Sequence, residues 1–273
     1  MFFLTHFFCL FLAQIRFLFA KKDRNRASEN IERVLGIPKD SKACAQKIRA
    51  IFYHQMMVFC EMLLESFFPG TMKWQGEEEL RKRIRFLESE KRGQIIITGH
   101  VGHWEFVGHQ VAKHTERQFF ALAKPAKQGG VDRVLESLRK RLSMHVLWTR
   151  GSGYFKSMLR ALAGGHWLGF VMDQRPPAKQ GVMVEFLGHP TLFVTGPAQM
   201  ALRGGHPVLG LFCVRVAPFE YRLISSTLLP SGHAETDVQK ITQILASAIS
   251  AVIIQYPEQW VWEYRRWFYT NHT

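Results

Sequence analysis

"QIIITGHVGHWEFVGH", residues 94–109, passes from an apolar run through two glycines into a segment holding three histidines and one glutamate. The run Gln94-Ile95-Ile96-Ile97 reads as a buried strand, and helical spacing resumes at about 102–114. A strand followed by a tight turn and a helix is the unit of an α/β layered domain, with helices packed on a central sheet that is mostly parallel or mixed. In such sheets ligands bind where a strand ends and the next loop or helix begins. Gly99 and Gly102 let the chain turn sharply there and leave backbone N–H groups open to a ligand. His100 falls in the turn. Glu105 falls in the first helical turn, where the helix dipole favours an acid that can reach back, as in a capping box. His100 and Glu105 can therefore meet, and a carboxylate on one imidazole nitrogen raises the basicity of the other, which makes a general base. Two other readings stand beside it. His100, His103, Glu105 and His109 could hold a metal, although no H-E-x-x-H or H-x-H-x-D pattern occurs, or the histidines could be structural.

Outward from this stretch the pattern repeats. Strand candidates are Gln94–Thr98, Gln118–Ala123, His145–Trp148, Trp167–Met172, Val182–Leu187, Val208–Val216 and Glu220–Leu229. Helical stretches at about 129–142, 152–164, 194–204 and 235–256 lie between or after them. Upstream, "ASENIERVLG", "KACAQKIRAIFYHQMMVFCEMLLESFF" and "EEELRKRIRFLESEK" have helical spacing. No repeat, low-complexity tract or long linker marks a second globular unit. The division expected is a hydrophobic membrane-associating segment over 1–26 and a catalytic domain over 27–273.

The N-terminal "MFFLTHFFCLFLAQIRFLFAKKDRNR" is an aromatic and leucine run that ends in Lys21, Lys22, Arg24 and Arg26. Its length would just span a bilayer, but Arg16 inside it costs roughly 2.5–3.5 kcal/mol near a span centre. The expectation is a helix lying against the membrane, with a single span or a buried helix as the alternatives. In either membrane reading the basic cluster keeps the following domain on the cytoplasmic side. The run lacks the basic n-region and small-residue site of a cleaved signal peptide.

With 273 residues, 47% of them apolar, the chain can bury a sizeable core. Its four cysteines are scattered, which supports neither a disulfide framework nor a cysteine-rich zinc site. The formal charge of +14 implies an acidic partner: nucleic acid, anionic lipid or an acidic protein. No RNP-like, zinc-finger or helix-turn-helix signature supports nucleic acid. A basic, non-catalytic lipid-binding protein is the reading from another class. G-x-S-x-G is absent, so no serine nucleophile motif is present.

"GHVGHWE", residues 99–105, resembles the H-x4-D/E signature of glycerolipid acyltransferases, in the G-H-x-G-x-W-E form of the bacterial lipid A late acyltransferases, the lauroyl and myristoyl transferases. "VDRVLESLRKRL" (131–142) is similar to that family's following helix, with Arg139 at the place of its basic residue. "VMDQRPPAKQGVMVEFLGHPTLFVTGPAQMALRGGHPVL" (171–209) resembles its segment with a D-Q pair, here Asp173-Gln174, and a G-P-A run. "YPEQWVWEYRRW" (256–267) resembles its closing motif. The chain departs from the pattern at His103, where asparagine is frequent, at Ala123-Lys124-Pro125, and at Tyr264, where histidine is common.

The resemblance implies a glycerolipid acyltransferase-like fold and transfer of a fatty acyl chain from a thioester, most simply on acyl carrier protein, to a hydroxyl of a lipid A precursor. It places the protein on the cytoplasmic face of a bacterial inner membrane, in contact with an anionic surface. It makes His100 the base and Glu105 the group steadying the imidazolium, with Lys124, Arg139, Asp173 and Gln174 at the substrate. Gly99 and Gly102 supply the turn and, with Arg139, donors for an oxyanion. No cofactor, metal or covalent acyl-enzyme is required. The runner-up acceptor is another glycolipid or a lysophospholipid. Lys124, Arg139, Arg150 and Arg175 could equally be solvated surface charges. The tryptophans of 260–267 read as packing of a closing segment, with a membrane-interface belt as the alternative.

Overall fold

The computed structural model describes residues 2–123, 129–149, 153–177 and 181–267. The chain opens with α1 (Phe2–Phe19), α2 (Lys21–Leu35), α3 (Lys42–Phe67), β1 (Lys73–Gln75) and α4 (Glu77–Ser89). Next come β2 (Gln94–Thr98), α5 (Trp104–His114), β3 (Phe119–Ala123), α6 (Gly129–Arg141), β4 (His145–Trp148), α7 (Tyr154–Ala163) and β5 (Trp167–Val171). It closes with β6 (Gly181–Phe186), β7 (His189–Val194), α8 (Gly196–Gly204), β8 (Val208–Ala217), β9 (Glu220–Leu229), α9 (Val238–Gln255) and a 3-10 turn at Pro257–Gln259.

Seven strands form one sheet in the order β1-β9-β8-β2-β5-β3-β4. Every pairing is parallel except β8 with β9, so the sheet is mixed and flanked by helices, as the alternating pattern predicts. β2 is buried along its whole length, and its side chains alternate between two cores. Ile95 and Ile97 join Leu168, Phe212 and the α9 residues Ile241, Leu245 and Ile249 on one face. Ile96 joins Trp167, Leu211, Phe106 of α5 and Leu80 of α4 on the other. Each such aliphatic side chain stabilises the fold by roughly 1.5–3 kcal/mol.

Two strands escaped the sequence reading. β1 has three residues, too few for a period to show. β7 carries Pro190, which argues against a strand, but it pairs only with β6 in a two-stranded hairpin where the missing N–H is tolerated. Leu187 and Gly188 form that hairpin's turn at φ of 53° and 77°, so β6 stops one residue before the expected Leu187.

The N-terminal run breaks at Ala20, and the basic cluster belongs to α2, so residue 26 lies inside a helix that continues to Leu35. α1 packs on α3 through Cys9 and Ala13, while His6 Nδ1 and the Tyr53 hydroxyl meet at 2.7 Å. Its other side leaves Phe3, Leu4, Phe7, Phe8, Phe11, Leu18 and Phe19 exposed. α1 and α2 are apolar enough to cross a membrane only as a pair bent by 91°. Among the described residues, α9 alone has the length and composition of a span, and its buried face is part of the core.

Candidate active site

β2 and β5 lie side by side with Thr98 opposite Val171. Two residues beyond that pair, His100 and Asp173 leave the carboxyl end of the sheet together. His100 Nδ1 meets Asp173 Oδ1 at 2.6 Å, and the His100 backbone N–H donates to Oδ2 at 2.8 Å. Trp260 Nε1 also donates to Oδ2, at 2.8 Å. Burial of Asp173 works against its charge. The attraction of His100 and these three hydrogen bonds overcome that, and the carboxyl is held below its ordinary value. With Nδ1–H directed at the carboxylate, the Nε2 lone pair is the basic atom of the ring.

Two glycines make this approach possible. A Cβ on Gly99 would lie 2.7 Å from Ile249 Cγ2 and 3.3 Å from Asp173 Oδ2. Gly102 has a φ of +64°, and a Cβ there would lie 2.1 Å from the Cys213 carbonyl oxygen of β8. The N–H groups of the turn are not open as the sequence reading expected. Gly102 N–H donates to Gln259 O at 2.9 Å and His103 N–H to Cys213 O at 2.7 Å. Val261 N–H in turn donates to His100 O at 3.1 Å, so the closing segment is stitched to the turn that carries His100.

The expected His100–Glu105 pair is replaced by two separate pairs. Glu105 lies at the start of α5 and turns to α6, where Arg139 holds it in a fork: Nε to Oε2 at 2.8 Å and a terminal nitrogen to Oε1 at 2.6 Å. The physical reason is the register. Asp173 arrives beside His100 from the adjacent strand, while the helix start carries Glu105 one turn away. Gln174 is exposed and bonds the Tyr264 hydroxyl, which burial and the nearby Asp173 charge push above its usual range. Lys124 and Arg150 lie outside the described residues.

The other histidines do not join His100. His103 is fully buried, stacks on Phe106 with ring centroids 3.5 Å apart, and caps α5 by accepting from Phe106 N–H at 3.4 Å. Burial holds it well below its usual value, so it is neutral. His109 Nδ1 meets Leu142 O at 3.1 Å. Among the described residues, no three His, Cys, Asp or Glu side chains converge as a metal site. Trp260, Trp262 and Trp267 are buried, the packing reading of the closing motif.

Trp104 and Tyr264 flank the His100 ring, with centroids 5.0 and 4.9 Å away. Two hollows meet at Trp104. One is a narrow cleft of about 40 Å³ that runs from Glu105 and Arg139 inward past Val107, Phe119, Met144 and Phe170. The other is a cavity of about 410 Å³ between the α1–α2 elbow, α3 and the closing segment, lined mostly by polar side chains. The sequence reading missed Trp260 as a donor to Asp173 and the α1–α2 side of the site. Only the fold brings those segments to residue 100.

The profile of a family described as bacterial lipid A biosynthesis acyltransferase matches residues 2–268. The phosphatidylinositol mannoside acyltransferase of Mycolicibacterium smegmatis is 27% identical over 172 residues, which are 62% of this chain and 55% of that protein. A protein of the same name from Mycobacterium tuberculosis is 26% identical over 171 residues, 62% of this chain and 52% of its own. The match thus spans about half the length of these relatives. The chain belongs to the bacterial lipid A biosynthesis acyltransferase family.

Proposed function

From this membership we propose that the chain transfers a fatty acyl group from a thioester to a hydroxyl of a glycolipid, with His100 as general base and Asp173 as its partner. The observation that carries the reading is the His100–Asp173 pair, with the His100 ring against Trp104, a residue that also lines an apolar cleft. A hydroxyl is a weak nucleophile at neutral pH. His100 Nε2 takes its proton as the oxygen attacks the thioester carbonyl, and Asp173 stabilises the imidazolium that forms. The tetrahedral intermediate collapses: the carbon–sulfur bond breaks, the ester remains, and the thiolate leaves with the proton held on His100. The N–H groups of Trp104 and Glu105, which precede the first hydrogen-bonded N–H of α5 at Phe106, are the donors assigned to the oxyanion. Glu105 and Arg139 then act as a positioning pair that fixes α5 against α6 at the mouth of the cleft, where the acyl chain enters.

The donor assigned is acyl carrier protein, since an acidic carrier suits a chain of charge +14. The acceptor assigned is a lipid A precursor, whose phosphates suit the same charge. The relatives' names favour a second acceptor, a phosphatidylinositol mannoside. The exposed aromatic side of α1 is assigned to an anionic membrane surface, with the domain on the cytoplasmic face of an inner membrane. Purified protein incubated with acyl carrier protein thioester and each glycolipid, followed by mass spectrometry, tests this. An acceptor heavier by one acyl group together with free carrier thiol is expected. Thioester cleavage with no acylated lipid, or no reaction with either acceptor, would contradict it.

A further inference from the structure

The larger hollow has no part in the chemistry described so far, yet it opens beside His100. We propose that this cavity is the subsite for a sugar ring of the acceptor's head group, an inference that rests on the acyl-transfer reading for its acceptor. Its volume of about 410 Å³ lies in the range of small-molecule pockets, roughly 300–1,000 Å³, and it is wider than the cleft. The narrow hollow suits a methylene chain and the wide one a ring.

The lining carries both signs of charge. Arg16 and Arg26 face Asp23 and Glu263, with Gln55 between them. An anion alone would not call for two carboxylates, whereas a ring of hydroxyls, each a donor and an acceptor, uses all of these groups. Part of the wall is fixed in advance. Arg16 bonds Glu263 at 2.5 Å and also Gln55, and Gln55 donates to Glu263 at 3.1 Å. Arg26 is half-buried and has no hydrogen bond or ion pair among the described residues, so its donors are open to a ligand. Trp104 supplies an aromatic wall and lines both hollows, so a ring held there brings a hydroxyl past Trp104 and Tyr264 to His100 Nε2. The position also fits a lipid. The elbow of α1 and α2 lies on one side and the exposed aromatics of α1 beyond it, so a head group rising from a membrane meets this cavity first.

The test separates binding from turnover. In full-length protein carrying His100→Ala, affinity is measured by co-sedimentation with phosphatidylcholine vesicles that are plain, or that contain the glycolipid acceptor, or an equal charge of phosphatidic acid. Phosphatidic acid should tighten binding only through its charge on a chain of charge +14, and the glycolipid should tighten it further than that equal charge does. Adding Arg26→Ala, or Met56→Trp to fill the cavity, should weaken the glycolipid preference roughly tenfold, the size of one hydrogen bond from a charged donor. Binding to plain vesicles should be unchanged. In the His100 enzyme, Arg26→Ala should raise KM for the glycolipid by a similar factor, with KM for the donor within about twofold. A glycolipid preference that survives both variants, an equal preference for phosphatidic acid, or a rise in donor KM instead would overturn the sugar subsite. If the vesicle results hold while wild-type protein acylates nothing, the subsite stands and the acyl-transfer reading falls.

Discussion

At the scale of single residues, the sequence made His100 stand out, because a histidine between two glycines at a strand end has few structural uses. The local pattern points to a different partner from the carboxylate that the fold sets beside it. Glu105 is close in sequence, and local spacing is all that a single chain displays. Asp173 was legible as a polar residue closing a strand, but its pairing with His100 depends on β5 lying next to β2, with Thr98 opposite Val171. Nothing in the local pattern encodes that adjacency. Buried histidines also carry a pH signature. Burial, with the nearby Arg215 charge, lowers His54 to about 3, and burial lowers His103 as well. Both therefore bind protons more readily unfolded, near 6.5, than folded. Their contribution to stability is complete above about pH 6.5 and is lost as pH falls, at up to about 1.4 kcal/mol per unit for each histidine. Unfolding by urea between pH 7.5 and 5 should show this slope, and His54→Leu should reduce it. An unchanged slope in the variant would locate the acid sensitivity elsewhere.

At the scale of elements, the strands and helices that position the site were mostly legible, because buried strands such as "QIIIT" and amphipathic helices such as "EEELRKRIRFLES" display their periods plainly. The elements that escaped have short or proline-bearing sequences, and the turn after β2 hid its role in a different way. Its glycines suggested open N–H groups, yet Gly102 and His103 use theirs to bind the closing segment and β8. The turn is a joint between elements before it is a ligand cradle. Gly102→Ala should therefore strain both the positive φ and the contact with Cys213 O. A cost of roughly 1–3 kcal/mol is expected, read as a lower Tm, together with a loss of activity larger than the stability change explains, because His100 moves with the turn. A variant with full activity and unchanged Tm would contradict the role given to this joint.

At the scale of the whole molecule, charge and the N-terminal run pointed to a membrane, and the fold adds which side of α1 is available. Leu4, Phe8 and Phe11 are exposed while Cys9 and Ala13 pack on α3. Replacing Leu4, Phe8 and Phe11 together by serine should leave Tm near the wild-type value. It should weaken binding to anionic vesicles by at least tenfold, since each large apolar side chain contributes roughly 1.5–3 kcal/mol when buried. Retained binding would place the membrane contact elsewhere. The fold also decides how the His100–Asp173 pair is assembled, from two adjacent strands and a closing segment that brings Trp260 to Asp173. The most direct test compares two carboxylates in one assay of acyl transfer, with donor and acceptor both saturating. Asp173→Asn should lower kcat by roughly 10²–10⁴, the general-base range, and match His100→Ala. Glu105→Gln should lose less, since it loosens the clamp to Arg139 and leaves the base paired. Near-normal kcat in Asp173→Asn beside a dead Glu105→Gln would return the imidazolium's partner to residue 105 and contradict the His100–Asp173 assignment.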